Sequence, residues 1–245
     1  MSDFSSLGQA NFVAYVNGSR PGDTIAKKQE IVDSLEAHHN LSPVSVMFVG
    51  FSTFMFAQYN ANLYATMLTD DMQEYLRAQG IQYTYIDPDN LARYRKKFQV
   101  VVAVDEFFTY AGTDQAQRDL VQKISDLTTE YVITTLRDYK NQDYRDREFS
   151  QPAAIRNQDS NLVYLEAHTA DNLDRSHWTS RVYQISDSDN QLITYGPFDR
   201  RAMYFKQLAK FSIDAGATAF LVHKNLMYKS LIKRNYEHVI TIKFN

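Results

Sequence analysis

The stretch VMFVGFSTFMF, residues 46–56, decides how the rest of the sequence is interpreted. It begins with four apolar residues and Gly50 follows them, which is the pattern of a buried parallel strand that ends in a tight turn. A nucleotide-binding α/β domain would place a glycine-rich loop at this point. The chain continues instead with Phe51-Ser52-Thr53-Phe54. The strand is therefore typical of such a domain, whereas the loop is not.

Strand and helix patterns alternate on both sides of this stretch. A helical pattern over 24–39 leads into the first strand, residues 43–50. Further strands are predicted over 61–68, 81–87, 98–108 and 130–138, and further helices over 69–80, 88–97 and 113–129. Strands that alternate with short helices indicate a parallel α/β sheet with helices on both faces.

The pattern changes after residue 138. Residues 139–160 are polar without a clear period, and residues 161–198 read as an antiparallel meander. A helix over 200–216 and strands over 217–224 and 236–245 then return to the α/β pattern, with a short helix or extended turn over 225–235 between the two strands. We therefore expect an N-terminal arm (1–22) and a single α/β domain (23–245) with an antiparallel insertion at about 161–198.

Composition narrows the functional classes. The 245-residue chain has a net charge of −3, which gives no electrostatic support for nucleic acid binding. It has no cysteine, which excludes disulfides, thiolate catalysis and cysteine-based metal sites, and its histidines show no metal-ligand spacing. No signal-peptide pattern and no window of about 18 apolar residues occurs. We expect a cytoplasmic protein with no metal site and no membrane span.

The order of elements resembles the class I S-adenosylmethionine-dependent methyltransferase family. The phrases that carry the resemblance are VSVMFVGFST (44–53), YATMLTDDM (64–72), YIDPDNL (85–91), VVVAVDEFFTY (100–110), and MYFKQLAKFSIDAG (203–216) followed by YEHVITIKF (236–244). The resemblance implies a Rossmann-like α/β fold: a seven-stranded, mostly parallel sheet with helices on both faces. It also implies an antiparallel last strand beside the fifth strand, and the meander as an antiparallel β insertion.

The resemblance also implies a site for S-adenosylmethionine at the ends of the first four strands. The residues it assigns to this cofactor are Gly50, Phe51, Ser52, Asp70, Asp87 and Asp105. Asp87 would frame the adenine, and Asp105 would shape the junction between donor and substrate. The sequence departs from the family in having one glycine in the loop and no acid at the end of the second strand. Asp70 and its neighbour Asp71 have a second interpretation, which is that they stabilise the start of a helix.

The segment after the strongest strand pattern supplies the candidate catalytic groups, Asp105 and Glu106. Ligands of open α/β sheets bind at the carboxyl edge, where a carboxylate can orient an acceptor or take its proton. Phe107, Phe108 and Tyr110 would form an aromatic wall around the adenine or the cation. Phe107 and Tyr110 are also candidate substrate contacts, and Arg137 would line the substrate pocket from the end of the next strand. The alternatives are a solvent-exposed acid pair above a phenylalanine core, and a salt-bridged loop around Arg137.

Methyl transfer from S-adenosylmethionine to an unidentified acceptor is the function that this interpretation favours. A non-catalytic scaffold of the same fold, as a subunit of a larger assembly, is the alternative, because the loop has lost its glycines. A dinucleotide oxidoreductase fits less well, since GxGxxG is absent. The acceptor, a protein partner and homo-oligomerisation stay open. Arg200-Arg201 is interpreted as a helix-start pair held by Asp199, with an anionic substrate as the other option.

Overall fold

The structure of the protein is a computed structural model. It describes residues 45–50, 62–104, 106–137, 149–150, 155–157, 162–170, 176–186, 188–223 and 237–245. The predicted arm (1–22), the predicted helix over 24–39 and the segment 225–235 lie outside these residues. Within them, no helix is long and apolar enough to cross a membrane.

A seven-stranded sheet forms the centre of the molecule. Its strands are β1 (Ser45–Val49), β2 (Asn62–Thr66), β3 (Thr84–Tyr85), β4 (Phe98–Ala103), β5 (Thr128–Arg137), β11 (Ala219–His223) and β12 (Glu237–Lys243). The order across the sheet is β11-β12-β5-β4-β1-β2-β3. Neighbours from β5 to β3 pair in parallel, whereas β12 pairs antiparallel with both β5 and β11. This confirms the predicted mostly parallel sheet with an antiparallel last strand beside the fifth.

The core lies on both faces of this sheet. In β1, Val46 and Phe48 belong to one buried cluster, whereas Met47 and Val49 belong to the other. Successive side chains of a strand point to opposite faces, so an uninterrupted apolar run is buried on both sides. This double burial explains why the sequence of β1 and β4 reads as continuous apolar segments.

Three α-helices and two 3₁₀ helices connect the strands of the described chain. They are α1 (Asp70–Ala78), a 3₁₀ helix at Pro88–Tyr94, a 3₁₀ helix at Phe107–Tyr110, α2 (Asp114–Ser125) and α3 (Phe205–Asp214). Thr69 caps α1 by accepting from Met72 N, and Thr113 caps α2 by accepting from Ala116 N. The Thr69 cap starts α1 just after the end of β2, which places the N-terminus of this helix at the carboxyl edge, whereas α2 begins only after the 3₁₀ helix that follows β4.

A second, antiparallel sheet carries the rest of the described chain. Its strands are β6 (Phe149–Ser150), β7 (Ile155–Asn157), β8 (Leu162–Ala170), β9 (His177–Ser186) and β10 (Leu192–Arg201). Its order is β10-β9-β8-β6, and β7 also pairs with β8. The predicted antiparallel insertion is therefore present. It is larger than expected, because β6 and β7 lie in the polar segment 139–160 and β10 continues to Arg201.

Several predicted boundaries were wrong. The helix predicted over 200–216 begins only at Phe205, because Arg200 and Arg201 pair with Trp178 and His177 as part of β10. The strand predicted over 81–87 is reduced to Thr84–Tyr85, and the helix predicted over 88–97 is the 3₁₀ helix at Pro88–Tyr94. These edge elements are short, so their sequences carry little periodicity.

Candidate functional site

The ends of β1, β2 and β3 form one row at the carboxyl edge of the main sheet. Val49 lies opposite Thr66 in the β1–β2 register, and Ala65 lies opposite Tyr85 in the β2–β3 register. Continued by one residue past Val49 and Thr66, and by two residues past Tyr85, the same register brings Gly50, Met67 and Asp87 into one row. Ligands of open α/β sheets bind at this edge, so the row is the first candidate for a binding site.

The backbone turns through the left-handed region at three strand ends along this edge. The φ angles are +57° at Gly50, +58° at Met67 and +55° at Glu106. Glycine adopts this region readily, whereas a side chain at such an angle is strained. Left-handed residues outside glycine concentrate at functional sites, which makes the ends of β2 and β4 candidates along with the end of β1.

Asp70 and Asp87 lie near the same side chain, Tyr85. Burial raises the pKa of Tyr85, and the negative charges of Asp87 and Asp70 raise it further. Both carboxylates are exposed, and neither forms an ion pair within the described chain. Asp87 accepts a hydrogen bond from Asp89 N at 2.8 Å and caps the 3₁₀ helix, and Asp70 is the first residue of α1. The charges of these two sequence-predicted acids thus act on the same side chain, Tyr85.

The end of β4 is buried rather than exposed. Glu106 is 2% exposed, and its Oε2 lies 3.5 Å from Nη1 of Arg200, which is 6% exposed. The Arg200 guanidinium lies over the ring of Tyr110, 4.6 Å from the ring centre. Phe107 is buried in the core, with its ring centre 5.7 Å from that of Phe108. The alternative of a solvent-exposed acid pair does not apply to Glu106.

A polar cluster surrounds the next arginine, Arg201. Its Nε donates to Asp114 Oδ1 at 2.6 Å, and its Nη1 lies 2.9 Å from His177 Nε2. Gln207 Nε2 also donates to Asp114 Oδ1, at 3.0 Å. The hydrogen bond from Arg201 is the main reason that the pKa of Asp114 lies below its ordinary value. The side chain of Gln117 donates to the Arg201 carbonyl at 2.9 Å, which adds a second contact between β10 and α2.

Sequence reasoning missed the role of Arg200 and Arg201. The pair was expected at a helix start held by Asp199, but both residues lie on β10 and contact Glu106 and Asp114. The only signal in the sequence was the adjacent arginines themselves, because their partners are distant along the chain.

Some predicted site residues have no described side chain. Phe51, Ser52 and Asp105 lie outside the described residues, and Arg137 is described only as the last residue of β5, opposite Glu237. Among the described side chains, no group of His, Asp or Glu has the arrangement of a metal site.

Solved structures with the same architecture identify the fold. The CcbJ methyltransferase from Streptomyces caelestis aligns with a TM-score of 0.68 at 15% identity, covering 92% of this chain and 97% of that chain. The chain has the class I S-adenosylmethionine-dependent methyltransferase fold. No protein-family profile matches the sequence, and no curated protein matches it significantly.

Two more structures with this methyltransferase fold cover nearly the whole chain. One is CalS10, an amino pentose methyltransferase from Micromonospora echinaspora with S-adenosylmethionine bound, at a TM-score of 0.65 and 12% identity over 96% of each chain. The other is the sugar N-methyltransferase KedS8 from a Streptoalloteichus species, at a TM-score of 0.67 and 8% identity over 96% of this chain and 93% of that chain. Such coverage includes most of the antiparallel sheet, which is therefore part of the shared architecture.

Proposed function

We propose that the protein transfers a methyl group from S-adenosylmethionine to a small-molecule acceptor. The observation that carries the proposal is the row Gly50, Met67 and Asp87 at the carboxyl edge of a methyltransferase fold, with the exposed carboxylates of Asp70 and Asp87 near Tyr85. A likeness of fold does not by itself establish an activity, so the proposal depends on the chemistry of this edge.

The residues of this edge fit the proposed donor. S-adenosylmethionine presents hydroxyl and amino groups, and exposed carboxylates accept hydrogen bonds from such groups. Gly50 leaves the backbone accessible: a Cβ atom there would have a single described neighbour within 4 Å, the Met67 carbonyl oxygen at 3.9 Å. We assign Asp70, Asp87 and Gly50 to donor binding. Phe51, Ser52 and Asp105 stay predicted donor contacts.

The chain's own residues have to orient the acceptor. The bound donor would supply a methyl carbon made electrophilic by its sulfonium, and attack on such a carbon depends chiefly on alignment of the nucleophile. Asp105, next to Glu106 at the end of β4, is the group we assign to orienting the acceptor or taking its proton. Glu106 already contacts Arg200, so we assign it to shaping the site. Phe107, Tyr110 and Arg137 stay the predicted substrate contacts.

The acceptor class is proposed from the similar structures. CalS10 is described as an amino pentose methyltransferase and KedS8 as a sugar N-methyltransferase. By analogy we propose that this protein also methylates a small molecule, and amino sugars are the first class to test.

Turnover tests the proposed function. The purified protein is incubated with S-adenosylmethionine and a panel of amino sugars, other small amines and small alcohols, and S-adenosylhomocysteine is measured. We expect product with at least one acceptor and a fall of roughly 100-fold in Asp105→Ala, the range typical of a lost acid–base group. The control is Asp119→Asn on α2, whose carboxylate accepts only from Gln115 among the described residues. Product formation that survives in Asp105→Ala would refute the role of Asp105.

A further inference from the structure

The antiparallel sheet contacts the main sheet at the end of β4. Arg200 and Trp178 lie opposite each other in the β9–β10 register, and both are buried. From this position Arg200 contacts Glu106 through its Nη1, at 3.5 Å, and Tyr110 through its guanidinium face, at 4.6 Å. One side chain of the antiparallel sheet therefore contacts both ends of the segment 106–110, which follows β4.

The segment that receives Arg200 is held in place by its own hydrogen bonds. Glu106 N donates to Thr135 Oγ1 at 3.1 Å, which ties the segment to β5. The Glu106 carbonyl accepts from Thr109 N at 2.8 Å and from Thr109 Oγ1 at 2.7 Å. These three bonds hold Glu106 in its left-handed conformation. The carboxylate is thus presented to Arg200 at a defined position, which is what precise docking of a second sheet requires.

Because the ion pair between Glu106 and Arg200 is buried, it contributes more to the relative placement of the two sheets than to the stability of the protein. Removing two charges from water costs free energy that their attraction only partly returns, so a buried ion pair is weak evidence for stabilisation. Arginine suits a geometric role, because its planar group binds a carboxylate and stacks on an aromatic ring at the same time. The contact between Arg201 and Asp114 lies at the rim, where the Asp114 side chain is 60% exposed. Arg200 is the inner contact of the two.

We propose that Arg200 is a positioning residue that docks the antiparallel sheet onto the segment 106–110, through Glu106 and Tyr110. Its consequence for catalysis rests on the proposed function: the sheet is then held beside the end of β4, where the acceptor is oriented. The donor contacts that we assign among the described residues, Gly50, Asp70 and Asp87, lie at the ends of β1, β2 and β3, so we expect Arg200 to matter less for the donor than for the acceptor. Arg200 then acts chiefly on the alignment of the acceptor.

The fluorescence of Trp178 can be used to follow this docking. Trp178 is its single tryptophan, it is 5% exposed, and it is the strand partner of Arg200. Fluorescence quenching by acrylamide and hydrogen exchange of residues 177–186 thus measure whether this part of the sheet stays docked. Neither measurement needs the acceptor.

The test compares a double variant, Glu106→Gln with Arg200→Met, with the wild type. The double variant removes the ion pair without leaving one charge buried alone, so it is expected to fold. Arg200→Lys, which keeps the charge but loses the planar group, is the conservative variant. Arg118→Met, which breaks the exposed ion pair with Asp214, is the matched control.

We expect the double variant to show roughly tenfold faster exchange over 177–186 and stronger quenching of Trp178, as local opening would produce. Its affinity for S-adenosylhomocysteine should stay within about threefold of wild type. The exchange and quenching of Arg200→Lys should lie between those of the wild type and the double variant. With an acceptor from the turnover screen, kcat should fall while the KM for the donor is unchanged.

A folded double variant with wild-type exchange and quenching would overturn the proposal, and so would unchanged kcat. Failure of the wild type to bind S-adenosylhomocysteine would instead refute the proposed function. The quenching and exchange results would still decide whether Arg200 docks the sheet.

Discussion

The two halves of the carboxyl edge are built differently. At the ends of β1, β2 and β3, the acids Asp70 and Asp87 are exposed and lie near Tyr85. At the end of β4, Glu106 is buried against Arg200 and Tyr110. Exposed carboxylates stay available to a ligand, whereas a buried carboxylate needs a partner from the protein itself. The first half is therefore suited to binding a ligand, and Glu106 in the second half is suited to joining the two sheets.

The largest expected effect comes from breaking the buried pair on one side only. Arg200→Met leaves the Glu106 carboxylate buried without this counter-charge, and we expect the free energy of unfolding to fall by about 3–5 kcal/mol. The double variant with Glu106→Gln should recover much of this loss, because neither charge of the pair then stays buried. Urea unfolding of both variants measures the difference. A loss below about 1 kcal/mol for Arg200→Met would mean that the β4 end is as accessible to water as the other half.

A smaller effect is expected at the end of β1. Gly50 has a φ of +57°, so Gly50→Ala should lower the free energy of unfolding by about 1–2 kcal/mol through backbone strain. Among the described residues, a new Cβ would meet only an ordinary contact at 3.9 Å, so backbone strain is the expected cause of the loss. Gly112→Ala is the matched control, because its φ lies outside the left-handed region and its Cβ would meet no atom of the described residues within 4 Å. Equal losses in the two variants would show that the turn after β1 does not need glycine.

The smallest effect is expected at the exposed contact between Arg201 and Asp114, at the rim of the contact between the two sheets. The pKa of Asp114 is lowered in the folded protein, chiefly by the hydrogen bond from Arg201. Its contribution to stability is therefore complete above the unfolded-state pKa, about 3.9, and is lost as the pH falls through the folded-state value. Asp114→Asn should make the stability of the protein slightly less dependent on pH in the acid range. The effect is small because the Asp114 side chain is 60% exposed. Thermal unfolding between about pH 2 and pH 5 measures the slope in this range.

The control for that experiment is Asp119→Asn, which removes a carboxylate bonded to Gln115 rather than to an arginine. If Asp119→Asn changed the pH dependence of stability at acid pH as much as Asp114→Asn, this would argue against a specific role of Arg201 in its contact with Asp114.

The sheet could be predicted from the sequence, because strands buried on both faces leave continuous apolar runs. The β1 and β4 segments and the helix caps Thr69 and Thr113 each carry a local signal. The convergence of Asp70 and Asp87 followed from position, since the carboxyl ends of parallel strands meet at one edge. The contact of Arg200 with Glu106 left no local signal, because it joins residues brought together only by the docking of two sheets.

The exposure of each acid could not be predicted from the sequence either. Asp87 and Glu106 both follow a strand of the main sheet, yet one is exposed and the other is 2% exposed. At the end of β4 the burial comes from β10, whose Arg200 contacts Glu106 and Tyr110. Burial of this kind is a tertiary property, so a strand-end acid by itself does not reveal whether it binds a ligand or a neighbouring strand.

Calorimetric titration with S-adenosylhomocysteine tests the central claim most directly, namely that the β1–β3 half of the carboxyl edge binds the methyl donor. We expect a dissociation constant in the range of about 1–100 µM for the wild type, and at least roughly tenfold weaker binding for Asp87→Ala. Arg118→Met, on the far ion pair with Asp214, should bind like the wild type. The absence of binding by folded wild-type protein at about 1 mM ligand would contradict the account and favour a non-catalytic scaffold.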